Sequence, residues 1–361
     1  MKNQNNYVAI MAGGVGSRFW PISKTSYPKQ FLDILNTGKT LIQSTYDRYS
    51  SFIPEENIFV VTSAEYVSIV REQLPQLPEE NIVAEPERKN TAACVAYISF
   101  KLKKMNPNAN MIVAPSDHLI GDLDLFRDTC QKALDYTSEN YAFVTLGIKP
   151  THPNTGYGYI QFDTHQKSNS AFKVNRFTEK PDLNTAKEFL AEGNYLWNSG
   201  IFIWKAEDIV DAFWEHFQFM YDLFHEAIAD LNTQKEADSI REIYEKCPST
   251  SIDYAIMEKA NNVYLIPSSF TWNDLGTWNS AWDNFSKDEE MNASNSNSTI
   301  LVDSKGCLVH SNEQKLMVIG GLEDLIIVNT PDALLICKKE NEQQIKEYVA
   351  QVRKVKGELY I

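Results

Sequence analysis

The chain has 361 residues with 34 Lys or Arg and 48 Asp or Glu, so its net charge at pH 7 is −14. This acidic balance argues against nucleic-acid binding, which needs a basic face, but it allows a locally basic pocket for an anionic small molecule. The polar start (MKNQNNY) lacks the apolar stretch of a signal peptide, and no apolar run reaches the roughly 18 residues of a membrane helix. Five cysteines without CxxC spacing indicate reduced thiols and a cytoplasmic location.

Short apolar runs alternate with amphipathic stretches up to residue 146, which is typical of a sheet covered by helices on both faces. Strands are predicted at residues 7–11, 58–62, 82–84, 110–114 and 142–146. Helices are predicted at residues 40–49, 64–74, 90–105 and 126–137, with Asn90 as the cap of the third. The pattern therefore predicts an α/β fold with a Rossmann-like, mostly parallel sheet.

After residue 146 the predicted strands and helices no longer alternate regularly. Further strands are predicted at residues 157–162, 171–179, 200–204 and 263–267, with helix at 184–192 and over most of 206–243. Residues 292–299 (NASNSNST) are of low complexity and predict a linker between a catalytic domain, 1–291, and a small C-terminal domain, 300–361. In that last part, strands recur every 7–9 residues before a terminal helix at 340–354, which favours a small β-coil.

A glycine-rich turn directly follows the first strand. The sequence AGGVGSR brings together Ala12, Gly13, Gly14 and Gly16, whose backbone N–H groups could form an anion-binding nest. Arg18 and Lys29 would add fixed positive charge for a triphosphate. The alternative is a plain tight turn with two solvated cations. The P-loop string is absent, and Phe19 stands where the dinucleotide fingerprint requires glycine.

Two acids are candidate metal ligands. Asp117 follows a buried strand at the sheet edge where ligands bind in parallel sheets, and Asp274 lies in the later motif WNDLG. Mg²⁺ prefers one or two carboxylates plus phosphate oxygens. The alternative for Asp117 is a turn or a helix cap. The six histidines show no zinc-ligand spacing, so a structural zinc site is not expected.

The segment AGGVGSRFWPISKTSYPKQF, residues 12–31, closely resembles the signature of sugar nucleotidyltransferases. Its elements Trp20-Pro21 and PKQF resemble the branch that uses GTP and mannose 1-phosphate, and the resemblance extends to about Gly276. It implies transfer of GMP from GTP to mannose 1-phosphate, with release of pyrophosphate and with Mg²⁺ as cofactor. It also implies that Asp117 and Asp274 come together around the metal.

The same resemblance assigns the other site residues. Catalytic cations are Arg18, Lys29 and Lys180, the last of which would meet the sugar phosphate. The nucleotide would be bound by Ala12, Gly13, Gly14, Gly16, Glu85, Asn90, Thr91 and Ser116. The sugar would be bound by Gly156, Tyr157, Glu179 and Asn198. Lys89 replaces the arginine usual in the family and is not assigned to the site.

Two alternatives remain open from the sequence. One is a sugar nucleotidyltransferase that uses another base or a modified manno-sugar, and the other is a non-catalytic regulator that binds a nucleotide sugar. The roughly 60 residues after the predicted linker are too few for the isomerase module of some longer relatives, so no phosphomannose isomerase activity is expected. No nucleic-acid or membrane partner is expected, and the C-terminal coil could mediate a homodimer.

Overall fold

The computed structural model describes residues 2–361 and contains two compact units, neither of which is continuous in sequence. Unit 1 comprises residues up to 13, 46–116 and 120–272, and unit 2 comprises 14–45, 117–119 and 273–361. The prediction divided the chain linearly at residues 291 and 300. The units differ from that division because the glycine-rich signature segment packs with the C-terminal part of the chain.

Up to residue 268 the strands and helices follow the predicted order except for the short strand Leu119–Ile120, and the strand Trp272–Asn273 and the helix Trp278–Asn284 follow as further elements that were not predicted. The strands are β1 (Asn6–Met11), β2 (Ile58–Ser63), β3 (Ile82–Glu85), β4 (Asn110–Pro115), β5 (Leu119–Ile120), β6 (Phe143–Ile148), β7 (Tyr159–Ser168), β8 (Ala171–Thr178), β9 (Tyr195–Lys205), β10 (Val263–Ser268) and β11 (Trp272–Asn273). The helices are α1 (Leu41–Ser50), α2 (Val67–Gln73), α3 (Asn90–Met105), α4 (Leu123–Glu139), α5 (Leu183–Glu192), α6 (Ala206–His216), α7 (Gln218–Glu226), α8 (Glu236–Lys246) and α9 (Trp278–Asn284).

Unit 1 is built on a nine-stranded sheet in the order β3-β2-β1-β4-β9-β6-β10-β8-β7. The pairs β3–β2, β2–β1, β1–β4 and β6–β10 are parallel, as the alternating strand and helix pattern predicts. Strand β9 runs antiparallel between β4 and β6, so the sheet is mixed. The α/β prediction is confirmed, and the central antiparallel strand is the feature that the local pattern did not contain.

Burial explains why these runs form strands and helices. Residues 6–10 of β1 and all of β2 are buried, as expected for near-continuous apolar strands covered on both faces. Helix α3 is buried at every position from Ala92 to Leu102, so it lies inside unit 1 rather than on its surface. The predicted helical stretch 206–243 is divided into α6, α7 and α8.

The predicted cap of α3 is wrong. The residue in the cap position is Lys89, which makes no side-chain cap bond, whereas Asn90 has a positive φ of 65°. A capping side chain reaches the second or third N–H from an extended backbone. With its left-handed backbone, Asn90 instead accepts from the next N–H, that of Thr91, at 2.8 Å.

Unit 2 contains the C-terminal coil. Its strands are β12 (Ala293–Ser294), β13 (Thr299–Val302), β14 (Leu308–Ser311), β15 (Met317–Gly320), β16 (Leu325–Asn329) and β17 (Leu334–Lys338), followed by α10 (Ile345–Lys356). Strands β12, β14 and β16 stack in parallel and β17 closes that sheet antiparallel, while β13 pairs with β15 in parallel. Within the predicted linker, Asn292 and Ala293 are buried and packed into the coil.

The core of unit 2 joins the signature segment to the coil. Trp278 is fully buried and its ring lies 5.0 Å from that of Phe19 and 5.2 Å from that of His310, centroid to centroid. The Trp20 indole donates to the carbonyl of Tyr360 at 2.7 Å. These contacts hold residues 14–45 against the C-terminal elements. Among the helices of residues 2–361, none combines the length and the apolar character needed to cross a bilayer.

Candidate active site

Of the two glycines of the glycine-rich turn that lie in unit 2, Gly14 and Gly16, only Gly16 is required by the local geometry. Gly16 has a positive φ of 63°, and a Cβ added there would lie 2.7 Å from Cγ of Lys29. A Cβ on Gly14 would meet nothing within 4 Å, and the Gly14 carbonyl accepts from Gln30 Nε2 at 2.9 Å. Gly16 therefore supplies both the left-handed backbone and the space that Lys29 occupies.

Lys29 is the centre of the polar contacts in unit 2. Its ammonium lies 3.0 Å from Oδ2 of Asp117 and donates to the carbonyls of Leu275 at 2.8 Å and Asp274 at 3.2 Å. The Lys29 side chain is 11% exposed, so these contacts are largely shielded from water. Two acids far apart in sequence thus approach one cation, Asp117 through its carboxylate and Asp274 through its backbone.

Both acids have the chemistry of a magnesium ligand. Burial raises the pKa of the Asp117 carboxyl, but the Lys29 ammonium, His118 and hydrogen bonds lower it more, so the pKa falls below its usual value. Asp274 Oδ1 accepts from the Gly276 N–H at 3.0 Å. Among residues 2–361, no cluster of three or more metal-ligating side chains is present. Two carboxylates fit Mg²⁺, since that ion commonly takes its other ligands from phosphates and water.

Arg18 is held by the C-terminal part of unit 2. Its Nε donates to Oε1 of Gln343 at 3.1 Å, in the 3₁₀ turn Lys339–Gln344 before α10. Gln343 lies in no recognised motif, so the sequence alone could not indicate it as the partner of Arg18. The predicted phosphate-binding cations Arg18 and Lys29 thus have different partners within the same unit.

In unit 1, several predicted nucleotide-binding residues lie where β1, β3 and β4 end. Glu85, the last residue of β3, is buried, and its Oε2 would be 3.5 Å from a Cβ on Gly13. Its Oε1 accepts from the Tyr244 hydroxyl at 2.8 Å. Burial raises the Glu85 pKa to about 7, although the Tyr244 hydrogen bond opposes that rise. The N–H of Ser116 donates to the carbonyl of Met11 at 3.0 Å.

Ala12 and Thr91 make hydrogen bonds to other residues of unit 1. The Ala12 N–H donates to the carbonyl of Val61 at 2.8 Å, which continues the β1–β2 ladder by one residue. The Thr91 hydroxyl accepts from the N–H of Ile252 at 2.9 Å. These bonds fix the backbone around the predicted nucleotide site. Asn90 and Thr91 lie together at the start of α3.

The predicted sugar-binding residues also lie in unit 1. The Tyr157 ring lies edge-on to those of Trp197 and Trp272, with centroids 5.0 and 5.2 Å away, and its carbonyl accepts from the Lys180 N–H at 3.2 Å. Lys180 forms an ion pair with Glu179. Burial lowers the Lys180 pKa, but the Glu179 hydrogen bond and charge, with other nearby groups, raise it overall.

Gly158 and Asp253 belong to this cluster, although the sequence reasoning missed both. A Cβ on Gly158 would lie 2.5 Å from Oε2 of Glu179 and 3.2 Å from Cβ of Asn198. Asn198 Nδ2 donates to Oδ1 of Asp253 at 3.2 Å. By contrast, a Cβ on Gly156 would meet only Asn154, at 3.1 Å. Gly158 follows the predicted Gly156 and Tyr157 directly in residues 155–159 (TGYGY), so a signal for it was present, whereas Asp253 lies in no recognised motif.

Comparisons with known proteins identify the family of this chain. A family model described as nucleotidyl transferase matches residues 7–291, and one described as MannoseP isomerase/GMP-like beta-helix domain matches residues 297–352. The chain belongs to the nucleotidyl transferase family.

Its relatives point to one branch of that family. Mannose-1-phosphate guanylyltransferase from Salmonella montevideo is 37% identical over 355 residues, which covers 95% of this chain and 73% of the relative. Alginate biosynthesis protein AlgA from Pseudomonas aeruginosa is 37% identical and covers 94% of this chain and 70% of the relative. A crystal structure named mannose-1-phosphate geranyltransferase, from Thermus thermophilus, has a TM-score of 0.85 at 28% identity over 97% of this chain and 99% of its own.

The glycine turn can be tested by a matched pair of substitutions. Gly16→Ala should lower the free energy of unfolding by about 1–3 kcal/mol, because the added Cβ needs a strained backbone and meets Lys29. Gly14→Ala should change it by about 0.5 kcal/mol or less, since that Cβ meets nothing. Urea unfolding followed by tryptophan fluorescence measures both. Equal losses in the two variants would contradict the assignment of Gly16.

Proposed function

We propose that this protein transfers GMP from GTP to mannose 1-phosphate, giving GDP-mannose and pyrophosphate. The observation that carries the proposal is the match to relatives named mannose-1-phosphate guanylyltransferase over more than nine-tenths of the chain. The grouping of Gly16, Lys29, Asp117 and Asp274 within one unit gives it further support.

The chemistry requires no protein nucleophile. A phosphate oxygen of mannose 1-phosphate attacks the α-phosphorus of GTP, and the bond from that phosphorus to the oxygen bridging the β-phosphorus breaks. Pyrophosphate leaves in line with the incoming oxygen. A sugar phosphate is already an anion with a competent nucleophilic oxygen, so the protein has to position the reactants and neutralise charge.

Each cation has its own part in this proposal. Lys29 and Arg18 neutralise the charge that develops on the leaving pyrophosphate. The Lys180 side chain is paired with Glu179 but 60% exposed, so a phosphate can approach it, and it orients the attacking group. Asp117 and Asp274 would hold Mg²⁺, which when bound supplies positive charge to the phosphate oxygens of the nucleotide.

The proposal also includes the residues that bind the nucleotide and the cellular compartment of the protein. The turn at Ala12–Gly16, with Glu85, Asn90, Thr91 and Ser116, binds GTP. A cytoplasmic location is supported by the five cysteines, all of which are buried thiols.

The reaction is tested by pyrophosphate release from a panel of nucleoside triphosphates and sugar 1-phosphates, with and without Mg²⁺. GTP with mannose 1-phosphate should be the best pair, and removal of Mg²⁺ by a chelator should abolish turnover. A preference for another triphosphate or sugar would replace the substrate assignment. Binding of GDP-mannose without any pyrophosphate release would instead support a regulator.

The catalytic roles are tested by kinetics. Arg18→Ala and Asp274→Ala should each lower kcat by about 100-fold, equivalent to roughly 3 kcal/mol, because the first removes a positive charge at the phosphates and the second a ligand that would hold Mg²⁺ there. Arg127→Ala is the matched control, since Arg127 is a surface residue of α4 paired with Asp124. Wild-type kinetics for Lys29→Ala would remove Lys29 from the mechanism.

We also propose that the protein forms a homodimer through the β13–β15 face of the coil. Ile300 and Val318 are register partners on this two-stranded sheet, and they are 50% and 65% exposed. Val302 and Leu316 extend the same exposed apolar surface. Contiguous exposed aliphatic side chains on a sheet with open edges are typical of an association surface.

The dimer is tested by light scattering coupled to size-exclusion chromatography. Val318→Lys with Ile300→Lys should shift the protein from the dimer mass to the monomer mass of 41.2 kDa, because buried charges would oppose association. Val355→Lys serves as the control, since Val355 is exposed on α10 and lies outside this face. A wild-type protein that elutes as a monomer would rule out the proposed interface.

A further inference from the structure

A carboxyl group with no assigned role lies beside the predicted sugar-binding residues of unit 1. Asp253 begins a π-helical turn, Asp253–Met257, and is half-buried. Turns of this kind are rare and are frequent at functional sites. The Oδ1 atom of Asp253 accepts from Nδ2 of Asn198 at 3.2 Å, so the carboxyl is joined directly to a predicted sugar-binding amide.

The hydrogen bonds that Asn198 makes within the protein leave it little capacity to bind a sugar hydroxyl, so a second group is needed beside it. Its Oδ1 accepts from the Thr145 hydroxyl at 3.0 Å and from the Gly200 N–H at 3.1 Å. A backbone N–H can only donate, so the amide oxygen must face Gly200. The Thr145 hydroxyl has a single proton, for which the Ile201 carbonyl at 3.2 Å competes, so the Gly200 N–H is the fixed donor to this oxygen. One N–H bonds to Asp253, and Asn198 retains a single N–H for a sugar hydroxyl.

The charged groups around Asp253 are predominantly acidic. Glu179 and its ion-pair partner Lys180 approach from the loop after β8. On the side of its own turn, Ser251 donates a hydrogen bond to the carboxyl, and Glu258 accepts from the Glu179 N–H at 3.3 Å. An ionised Asp253 would add a third carboxylate to a cluster that holds one ammonium.

Tyr254, the next residue of the turn, is exposed and interacts with this cluster through Lys180. Burial and then the charge of Glu179 raise the pKa of Asp253 to about 7, although hydrogen bonds and Lys180 oppose the rise. A sugar 1-phosphate brings further negative charge toward Lys180. A nearby anion favours the neutral form of a carboxyl group.

We propose that Asp253 is a further sugar-binding residue, whose carboxyl takes up a proton when the hexose 1-phosphate binds and donates it in a hydrogen bond to a hexose hydroxyl. In this arrangement Oδ1 keeps its bond from Asn198, and Oδ2 carries the proton. Glu179 remains the acceptor for a hydroxyl hydrogen. The inference rests on the proposed use of mannose 1-phosphate and adds to it a dependence of sugar-phosphate affinity on pH.

The direction of the pH dependence follows from which protonation state of Asp253 binds the sugar phosphate. The neutral carboxyl binds the sugar, so affinity is full below about pH 7 and is lost as the pH rises above the Asp253 pKa of the free protein. Each further pH unit should weaken affinity by up to about tenfold while the carboxyl remains neutral in the complex. The amide of Asp253→Asn resembles the neutral acid, so this variant should bind without that dependence.

The test is calorimetric titration of mannose 1-phosphate into the full chain at several values from about pH 6 to about pH 9. Wild type should weaken as the pH rises, Asp253→Asn should keep the low-pH affinity throughout, and Asp253→Ala should be about tenfold weaker at low pH and nearly flat. Asp211→Asn, which changes an exposed acid of α6, is the matched control and should follow wild type. A pH profile of Asp253→Asn that matches wild type would overturn the proposal.

A second measurement needs no variant. Titrations of wild type at about pH 8 in two buffers with different ionisation enthalpies should reveal uptake of up to one proton per sugar phosphate bound. The absence of proton uptake, or of mannose 1-phosphate binding, would also overturn the role of Asp253. Failure of wild type to release pyrophosphate despite such binding would reject the transfer reaction alone.

Discussion

The buried ammonium of Lys29 is the interaction on which the predicted phosphate site of unit 2 depends. It joins three parts of the chain by contacting the Asp117 carboxylate and the carbonyls of Asp274 and Leu275. A largely buried cation requires such partners, because an unpaired charge in a dry site is costly. Gly16 makes the arrangement possible, since any side chain there would meet the stem of Lys29. One lysine and one glycine therefore position both acids that would bind the metal.

This interaction also explains why the compact units are discontinuous. The signature segment belongs to unit 2 from Gly14 onward and packs against the C-terminal elements through Phe19, Trp20 and Trp278. Arg18 has its hydrogen-bond partner in the same region, at Gln343. The coil is consequently part of the structure that orients the predicted phosphate-binding cations. This role differs from that of an appendage joined by a flexible linker.

Unit 1 illustrates a different constraint, which is the limited number of hydrogen bonds that a side chain can make. Asn198 has the right chemistry for a sugar hydroxyl, but most of its capacity is used by Thr145, Gly200 and Asp253. The cluster of Gly158, Glu179, Asn198 and Asp253 therefore has to be considered as a unit. A residue-by-residue assignment from motifs would miss the group that completes it.

The sequence by itself determined the local features of this protein. Continuous apolar runs such as β1 and β2 predict buried strands, and the signature segment indicates the family, because both are properties of neighbouring residues. The tertiary structure decided which distant groups meet. The antiparallel entry of β9, the approach of Lys29 to Asp117, and the pairing of Asn198 with Asp253 depend on chain topology. Asn90 shows the same limit at short range, since its left-handed backbone, rather than its residue type, prevented it from capping α3.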